Sequence, residues 1–519
     1  MSRPPNFLFL ITDQHRADHS GFGGHPVLRT PNLDALAARS MQFDRALVAN
    51  PICMPNRSSI FTGRLPSVHG TRYNGIPLDW SVNTFPRVLR GAGYHSAYFG
   101  KCHLQNIGDN VRARDIIFRD APDHDANRDR YPEGWGQFEL VERHRREYVE
   151  MPEDFYGLAE VDLVVNHSDL CGGHYYQWLR EQGVDPDPIK GPKNALPFDA
   201  CSPQVWRTRL PEELYPTRYV TMRTVDFLDR RQAQDQPFVA FCSYPDPHHP
   251  FTPPGRYFDL YDPAAIPLPE SFDDPHENSM DHYRARLAKR GEQLTRMAPF
   301  APTAEQFREM AAAEFGMIAM IDDGIGEVLA ALERNGLADD TVVVFTSDHG
   351  DMFGDHGMML KASMHYDGCI RVPLLISAPG RAPGCTRALA SSLDLAQTVL
   401  DLADAPVYQG MQGVSLVPLL DDPDASVRDH VLVEEDQMFD LAGIGQGLRM
   451  RSLLTEEGRI TLYRGAQHGE LFDLQRDPGE MQNLFGRPEH RELQTELLER
   501  LARQLLEYAD DSPRPTHMA

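Results

Sequence analysis

Residues 51–63, Pro-Ile-Cys-Met-Pro-Asn-Arg-Ser-Ser-Ile-Phe-Thr-Gly, hold the most chemically pointed spacing in the chain: Cys53, Pro55 and Arg57. If the segment is helical, a guanidinium four residues on stands near the sulfur. Cations and helix N-termini lower a thiol's pKa and attract anions. Pro55 has its φ already set and lacks an N–H, which suits a first helical turn, and Gly63 can stop the helix. On residue types alone the stretch is either a thiolate nucleophile or a structural helix start with an inert thiol.

Other chemistry-bearing residues follow short apolar runs. Phe7-Leu8-Phe9-Leu10-Ile11-Thr12 is continuous, as for a parallel strand covered on both faces, and runs into Asp13-Gln14. His95-Ser96-Ala97-Tyr98-Phe99 runs into Gly100-Lys101-Cys102-His103. The run Pro-Phe-Val-Ala-Phe-Cys-Ser-Tyr precedes Pro247-His248-His249-Pro250. Thr341-Val342-Val343-Val344-Phe345-Thr346 ends in Ser347-Asp348-His349. In open α/β sheets ligands bind beyond the carboxyl ends of strands. Asp13 is therefore either a hard oxygen ligand for a divalent metal or a turn cap. Asp348 and His349 would face it across the sheet edge, a carboxylate and an imidazole suited to Mn or Zn. Lys101 and His103, alternate on an extended chain, point the same way and could grip one anion; Lys101 as surface charge is the plainer option. Asn74-Gly75 reads as a turn, unless Asn74 lends its amide to an anion. Lys361 lies in a Gly-rich loop that could return it to the site.

The elements that must position these residues follow from length and patterning. At 519 residues the chain is too long for one ordinary core and predicts a large and a small domain. Residues 84–92 and 304–335 read as helices, the latter with Met317, Ile318, Met320, Ile321, Ile325, Val328 and Leu329 at core spacing. Residues 31–48 start as an amphipathic helix. Residues 105–235, rich in Pro and charge, read as inserted loops and short helices, and 371–380 as a further strand and turn. Near residue 425 the pattern changes to short antiparallel strands and a final helix over 490–507. The expected organisation is a 1–424 catalytic α/β domain and a 425–519 antiparallel sheet plus helix.

Net charge of -25 argues against a nonspecific nucleic-acid binder and requires any anion site to be locally basic. Seven scattered cysteines without a Cys-x-x-Cys pair predict neither a disulfide framework nor structural zinc. No apolar run has membrane-span or signal-core length, so a soluble cytoplasmic protein without membrane attachment is expected. The acidic surface and charged stretch 270–300 permit a homo-oligomer.

Taken in order over nearly the whole chain, these motifs resemble the type I sulfatases of the alkaline phosphatase superfamily, near the arylsulfatase and phosphonate monoester hydrolase branch. Cys53-x-Pro55-x-Arg57 resembles the signature that directs oxidation of the cysteine to formylglycine; Thr62-Gly63-Arg64, His69-Gly70, Gly100-Lys101-x-His103, Pro247-His248-x-Pro250 and Asn483-Leu484 resemble its accompaniments. The resemblance implies an alkaline-phosphatase-like doubly wound, mostly parallel sheet with a smaller C-terminal α+β domain. It implies one divalent ion (Ca first, with Mn or Zn open because His349 stands where many members carry Asn) on Asp13, Gln14, Cys53, Asp348 and His349. Gln14 departs from the Asp of many members. The resemblance further implies that Cys53, converted by a formylglycine-generating enzyme or equivalent, attacks a small-molecule sulfate ester. Arg57, Lys101 and Asn74 would hold its oxygens, His248 with Lys361 protonate the leaving oxygen, and His103 assist release of sulfate. Phosphonate monoester hydrolases usually carry Tyr and Thr in place of Lys101 and His103, which favours sulfate. A phosphonate monoester or phosphodiester hydrolase is the rival, and an unmodified anion-binding module the non-enzymatic alternative.

Overall fold

The strand Asn6–Thr12 is buried along its whole length and lies at the centre of a nine-stranded sheet. In the computed structural model, which describes residues 4–108, 134–232, 234–293, 297–438 and 447–513, the sheet order places its neighbours unambiguously. From one edge the strands are Gly384–Thr386, Met41–Phe43, Leu374–Ser377, Thr341–Ser347, Asn6–Thr12, Phe238–Ser243, His95–Gly100, Glu160–Val165 and Gly172–Gly173. The run from Thr341–Ser347 to Glu160–Val165 is parallel throughout, so the carboxyl ends of these strands share one edge.

The side chains explain the uninterrupted apolar runs. Successive residues on a strand face opposite sides. Phe7, Phe9 and Ile11 enter one core with Ile60, Phe61, Leu395 and Val399. Leu8 and Leu10 enter another with Val220, Phe227, Ile321, Ile325 and Val328. The helices Cys53–Thr62 and Asp394–Leu402 thus cover one face, and Pro216–Arg231 and Ala304–Arg334 the other. The long helix starts at a capping box of Thr303 and Gln306, and each of its predicted core residues is buried.

A second sheet of Val431–Asp436, Arg449–Leu454, Gly458–Tyr463 and Glu470–Asp473 is antiparallel throughout. Helix Arg491–Glu507 buries Leu497 and Leu501 against Leu453, Ile460 and Leu471, in a cluster that also takes in Ala49 and Leu65. Glu434 N–H donates to the Ala49 carbonyl at 2.9 Å, which seats this sheet beside the Cys53 segment.

The helix that starts at residue 31 ends at Ala37, and Met41–Phe43 follows as the second strand of the sheet, antiparallel to Leu374–Ser377 and parallel to Gly384–Thr386. One expectation needs correction. Residues 105–235 hold more than inserted loops and short helices: Glu160–Val165 is a strand of the main sheet and Pro216–Arg231 a sixteen-residue helix, while 109–133 and 233 fall outside the described residues. The strand read in 371–380 is present as Leu374–Ser377, and it runs antiparallel to Thr341–Ser347. Among the described residues no helix is long and apolar enough to cross a membrane.

Candidate active site

Adjacent strands lie about 4.8 Å apart, so residues at equivalent ends two strands apart need long side chains to meet. Lys101 meets this requirement. It leaves its strand two places from Asp13, and its Nζ reaches across to Asp13 Oδ2. Gly100 permits the bend: φ is 116°, and a Cβ there would fall 1.8 Å from the Ser243 carbonyl oxygen. The Lys101 N–H then donates to that same oxygen at 2.9 Å.

Helix Cys53–Thr62 delivers Cys53 at its first residue, buried, and ends at Gly63 with φ 62° as its sequence predicts. Free N–H groups at its start are taken up by asparagines. Asn50 Oδ1 accepts from Ile52 N–H at 2.8 Å and Asn74 Oδ1 from Met54 N–H at 3.1 Å. Asn74 therefore already serves the backbone of the helix that carries the cysteine.

Arg57 does not act on the sulfur. Its Nε donates to Asp348 Oδ2 at 2.7 Å and its Nη2 to Asp13 Oδ2 at 2.9 Å. Nη1 donates to the Lys101 carbonyl at 2.6 Å and Ser243 Oγ at 3.0 Å. The guanidinium clamps two carboxylates across the sheet edge. Burial pushes the Cys53 thiol up, and Lys101 and Lys361 only partly offset this; of the two readings left open by residue types, this favours a thiol at a helix start over a thiolate. Burial would also raise Asp13, but Lys101 and Arg57 outweigh it and hold that carboxyl well below its usual range.

Cys53 Sγ lies 3.1 Å from His349 Nε2. Asp13, Cys53, Asp348 and His349 each offer a donor atom within 4.8 Å of the others, all buried. Asp13 Oδ1 has no hydrogen-bond partner among the described residues. Burial, partly countered by Asp348, lowers His349 to about 4, which keeps its imidazole neutral as ligation requires. Two carboxylates, an imidazole and an unpartnered oxygen around residue 53 fit a divalent cation. The Gln14 side chain is committed elsewhere: its Oε1 accepts from Lys361 Nζ at 2.6 Å and faces His249 Nδ1 at 3.0 Å, while its Nε2 donates to Asp351 Oδ2 at 2.6 Å. Its backbone, at φ 63°, donates to Asp348 Oδ1 at 3.1 Å.

Opposite the donor set stand lysines and imidazoles. Lys361 does fold back, with Nζ 2.6 Å from His248 Nε2. His248 lies 3.8 Å from Asp13 Oδ1. Burial, then His167 and Lys361, push His248 well below the ordinary histidine value. His103 is buried here too, but its φ of 54° breaks the extended geometry that the Lys101–His103 spacing assumed. Its loop is held by Glu139, whose carboxylate accepts N–H bonds from His103, Leu104 and Gln105 at 2.5–3.0 Å. Burial raises Glu139 to about 7 despite these bonds.

Residue types and spacing missed His167 and Glu139. His167 follows Leu163-Val164-Val165 and meets the same strand-end criterion as Asp13. That signal was available, though weakened by Glu160 and Asp162 within a charge-rich region. Glu139 carries no comparable signal.

A nine-stranded α/β sheet whose parallel strand ends gather carboxylates, lysines and histidines, with a small antiparallel domain beside it, defines an alkaline-phosphatase-like hydrolase. The Sulfatase family model matches residues 5–405, and one for the N-sulphoglucosamine sulphohydrolase C-terminal region matches 354–507. The chain belongs to the sulfatase family, the sulfuric ester hydrolases of the alkaline phosphatase superfamily. It is 28% identical over 498 residues to an arylsulfatase of Clostridium perfringens, covering 94% of this chain and 92% of that one. It is 26% identical over 532 residues to a multifunctional alkaline phosphatase superfamily protein of Trinickia caryophylli, covering 97% and 96%. The phosphonate monoester hydrolase of Agrobacterium radiobacter shares the fold, with TM-score 0.77 at 24% identity over 99% of this chain and 98% of that one.

Proposed function

We propose that the protein hydrolyses small-molecule sulfate monoesters with a formylglycine made from Cys53 by a formylglycine-generating enzyme or equivalent, in the presence of one divalent cation. The observation that carries this reading is residue 53 at a buried helix start, within 4.8 Å of the Asp13, Asp348 and His349 donor atoms. These three side chains and residue 53 would hold the cation, which when bound supplies a charge that offsets the ester's negative oxygens. The hydrated aldehyde supplies two hydroxyls, one to attack sulfur and one whose deprotonation releases sulfate, which neither a thiol nor a serine offers.

The chain's own residues then divide the work. Arg57 keeps the Asp13 and Asp348 carboxylates fixed at the sheet edge. Lys101 faces the ester's oxygens from the Asp13 side and Lys361 from the other, which makes the site locally cationic within an acidic protein. Lys361 and His248 share a hydrogen bond, and together they hold the proton that the leaving oxygen needs. The resting His248 is neutral, and the negative charge of a bound ester favours its protonated form. His103, whose buried Nδ1 is unpartnered among the described residues, would take the proton from the second hydroxyl.

Intact mass of the Cys53 peptide is the first test: conversion of thiol to aldehyde removes about 18 mass units. Cys53→Ala is expected to abolish turnover of 4-nitrophenyl sulfate; an undiminished rate sinks the proposal. A second reading, phosphonate monoester or phosphodiester hydrolysis, is favoured by the likeness to the Agrobacterium radiobacter fold and the Trinickia caryophylli relative. Lys101 and His103 favour sulfate as the better substrate, so kcat/KM is expected to be higher for an aryl sulfate than for the matching phosphonate monoester. The reverse order would establish the second reading.

A further inference from the structure

His167 stands outside every role assigned above, yet its ring lies flat on that of His248. The centroids are 3.5 Å apart and the planes 13° from parallel. The two imidazoles are also hydrogen-bonded in the same sense. His248 Nδ1 faces the His249 carbonyl at 2.5 Å, so Nδ1 carries the hydrogen, and Nε2 accepts from Lys361 Nζ at 2.6 Å. His167 Nδ1 faces Asn166 Oδ1 at 3.2 Å, and its Nε2 accepts from Lys101 Nζ at 2.6 Å. Two Lys–His pairs thus lie face to face, one on each lysine of the site.

The loop that carries His167 is tied to the one that carries His248. Ser168 Oγ donates to the His248 carbonyl at 3.0 Å and also contacts the Pro250 carbonyl. Asn166 and Ser168 have φ of 78° and 52°, left-handed values that non-glycine residues adopt at a cost when surrounding contacts hold them there. Asp13, Cys53, His167 and His248 also bring donor atoms within 4.8 Å. The Nε2 lone pairs of both histidines are already engaged by lysine hydrogens, so this half of the site is a Lys–His array.

We propose that His167 is a positioning residue for leaving-group protonation: its ring fixes the plane of His248, and through it the line from Lys361 to the departing oxygen. The assignment rests on the ester-hydrolase reading above. The His249 ring also stacks on His248, at 4.1 Å and 25°, but less closely and less flat. Without the His167 ring, His248 keeps its Nδ1 and Nε2 bonds and the tilted His249 contact but loses the nearer, flatter surface that sets its plane. Hydrogen-bond strength falls steeply with angle, so proton delivery suffers while binding of the charged sulfate end does not.

The test compares esters whose leaving groups differ in their need for a proton. 4-Nitrophenolate leaves readily; phenolate, whose conjugate acid has a pKa of about 10, needs protonation. A positioned acid is worth about 10²–10⁴-fold. His167→Ala is expected to lose roughly tenfold in kcat on 4-nitrophenyl sulfate and about a hundredfold on phenyl sulfate, with KM for each within about twofold. His167→Phe keeps a ring against His248 and is expected to restore the wild-type ratio of the two rates. His167→Gln keeps an acceptor for Lys101 without a ring and is expected to behave like His167→Ala. Thermal melting of all three confirms folding, and the same leaving groups on phosphonate monoesters carry the comparison if phosphorus is the better substrate. Equal losses on both esters, or a phenylalanine variant as impaired as the alanine one, would overturn the assignment. A wild-type enzyme active on both esters with that outcome leaves the ester-hydrolase reading intact. One inert on the sulfate and phosphonate series refutes that reading and this inference with it.

Discussion

Arg57→Ala gives a prediction whose size depends on whether a cation shares the site. Arg57 and both of its carboxylate partners are buried, with side-chain exposures of 3%, 0% and 0%. Hydrogen bonds to charged groups contribute about 1.5–3 kcal/mol each, and removing one member of a buried pair costs about 3–5 kcal/mol. Asp13 retains Lys101, whereas Asp348 retains only the Gln14 backbone N–H at 3.1 Å and His349 at 3.6 Å. The loss therefore falls mainly on Asp348, near the lower half of that range. Unfolding entropy of about 2.1 cal/mol/K per residue makes 1 kcal/mol worth roughly 1 °C in a chain this long, so a fall of about 3–4 °C is expected in chelator. A divalent ion that binds Asp13 and Asp348 in the folded state compensates the lost guanidinium and adds stability by mass action. With saturating calcium or manganese the fall should shrink to under about 2 °C. Differential scanning fluorimetry of wild type and variant, each with chelator and with metal, reads all four values. Equal losses in the two conditions would mean that Arg57 and the cation do not share these carboxylates, and the placement of the metal would be wrong.

Asn74→Ala separates a helix cap from a substrate contact: loss of the Met54 bond should cost about 1 kcal/mol by denaturant melting with KM unchanged, whereas a substrate role would raise KM. Glu139 predicts a pH signature. Burial raises its pKa from 4.5 to about 7, so the folded state holds its proton more tightly than the unfolded state, and its contribution to stability declines as pH rises from about 4.5 to about 7. Glu139→Gln should remove that part of the slope in a melting-temperature profile; an unchanged slope would show that Glu139 titrates normally. Lys361→Met, which removes the donor to His248 and Gln14, should lower kcat by about 10²–10⁴-fold, most on esters of poor leaving groups, and a loss confined to KM would assign Lys361 to binding alone.

The parts of the site that were legible are those in which one strand delivers its own chemistry. Asp13, Lys101, His248 and Asp348 each follow an apolar run, and a parallel sheet aligns such ends whatever the intervening sequence. The paired use of Arg57 was not legible. Spacing places its guanidinium one helical turn from Cys53, but its direction depends on Asp13 and Asp348, which approach from two other strands. Periodicity carries no information about such a three-body arrangement. The short strand Met41–Phe43 was hidden for a related reason: three residues show no period, and it is Leu374–Ser377 and Gly384–Thr386 on either side that decide against continuing the helix.

His167 shows how the same sheet logic extends beyond the residues that a motif names. Its strand runs two residues past the end of His95–Gly100, Gly100 pairing with Leu163, and so brings a side chain to the edge where Lys101 already is. From Asp13 the distance is three strands, about 14 Å between strand axes, and the turn after Val165 carries the imidazole back until its donor atom lies within 4.8 Å of those of Asp13 and Cys53. Lys101 stands between the two, with Asp13 and His167 both on its Nζ. Position on the sheet therefore sorts the histidines by function: His349, one strand from Asp13, approaches the carboxylate side, while His167 enters on the lysine side, bonded to Lys101 and flat on the face of His248. A histidine placed in this way influences the reaction through the groups it orients, and its removal should be felt most where proton delivery limits the rate.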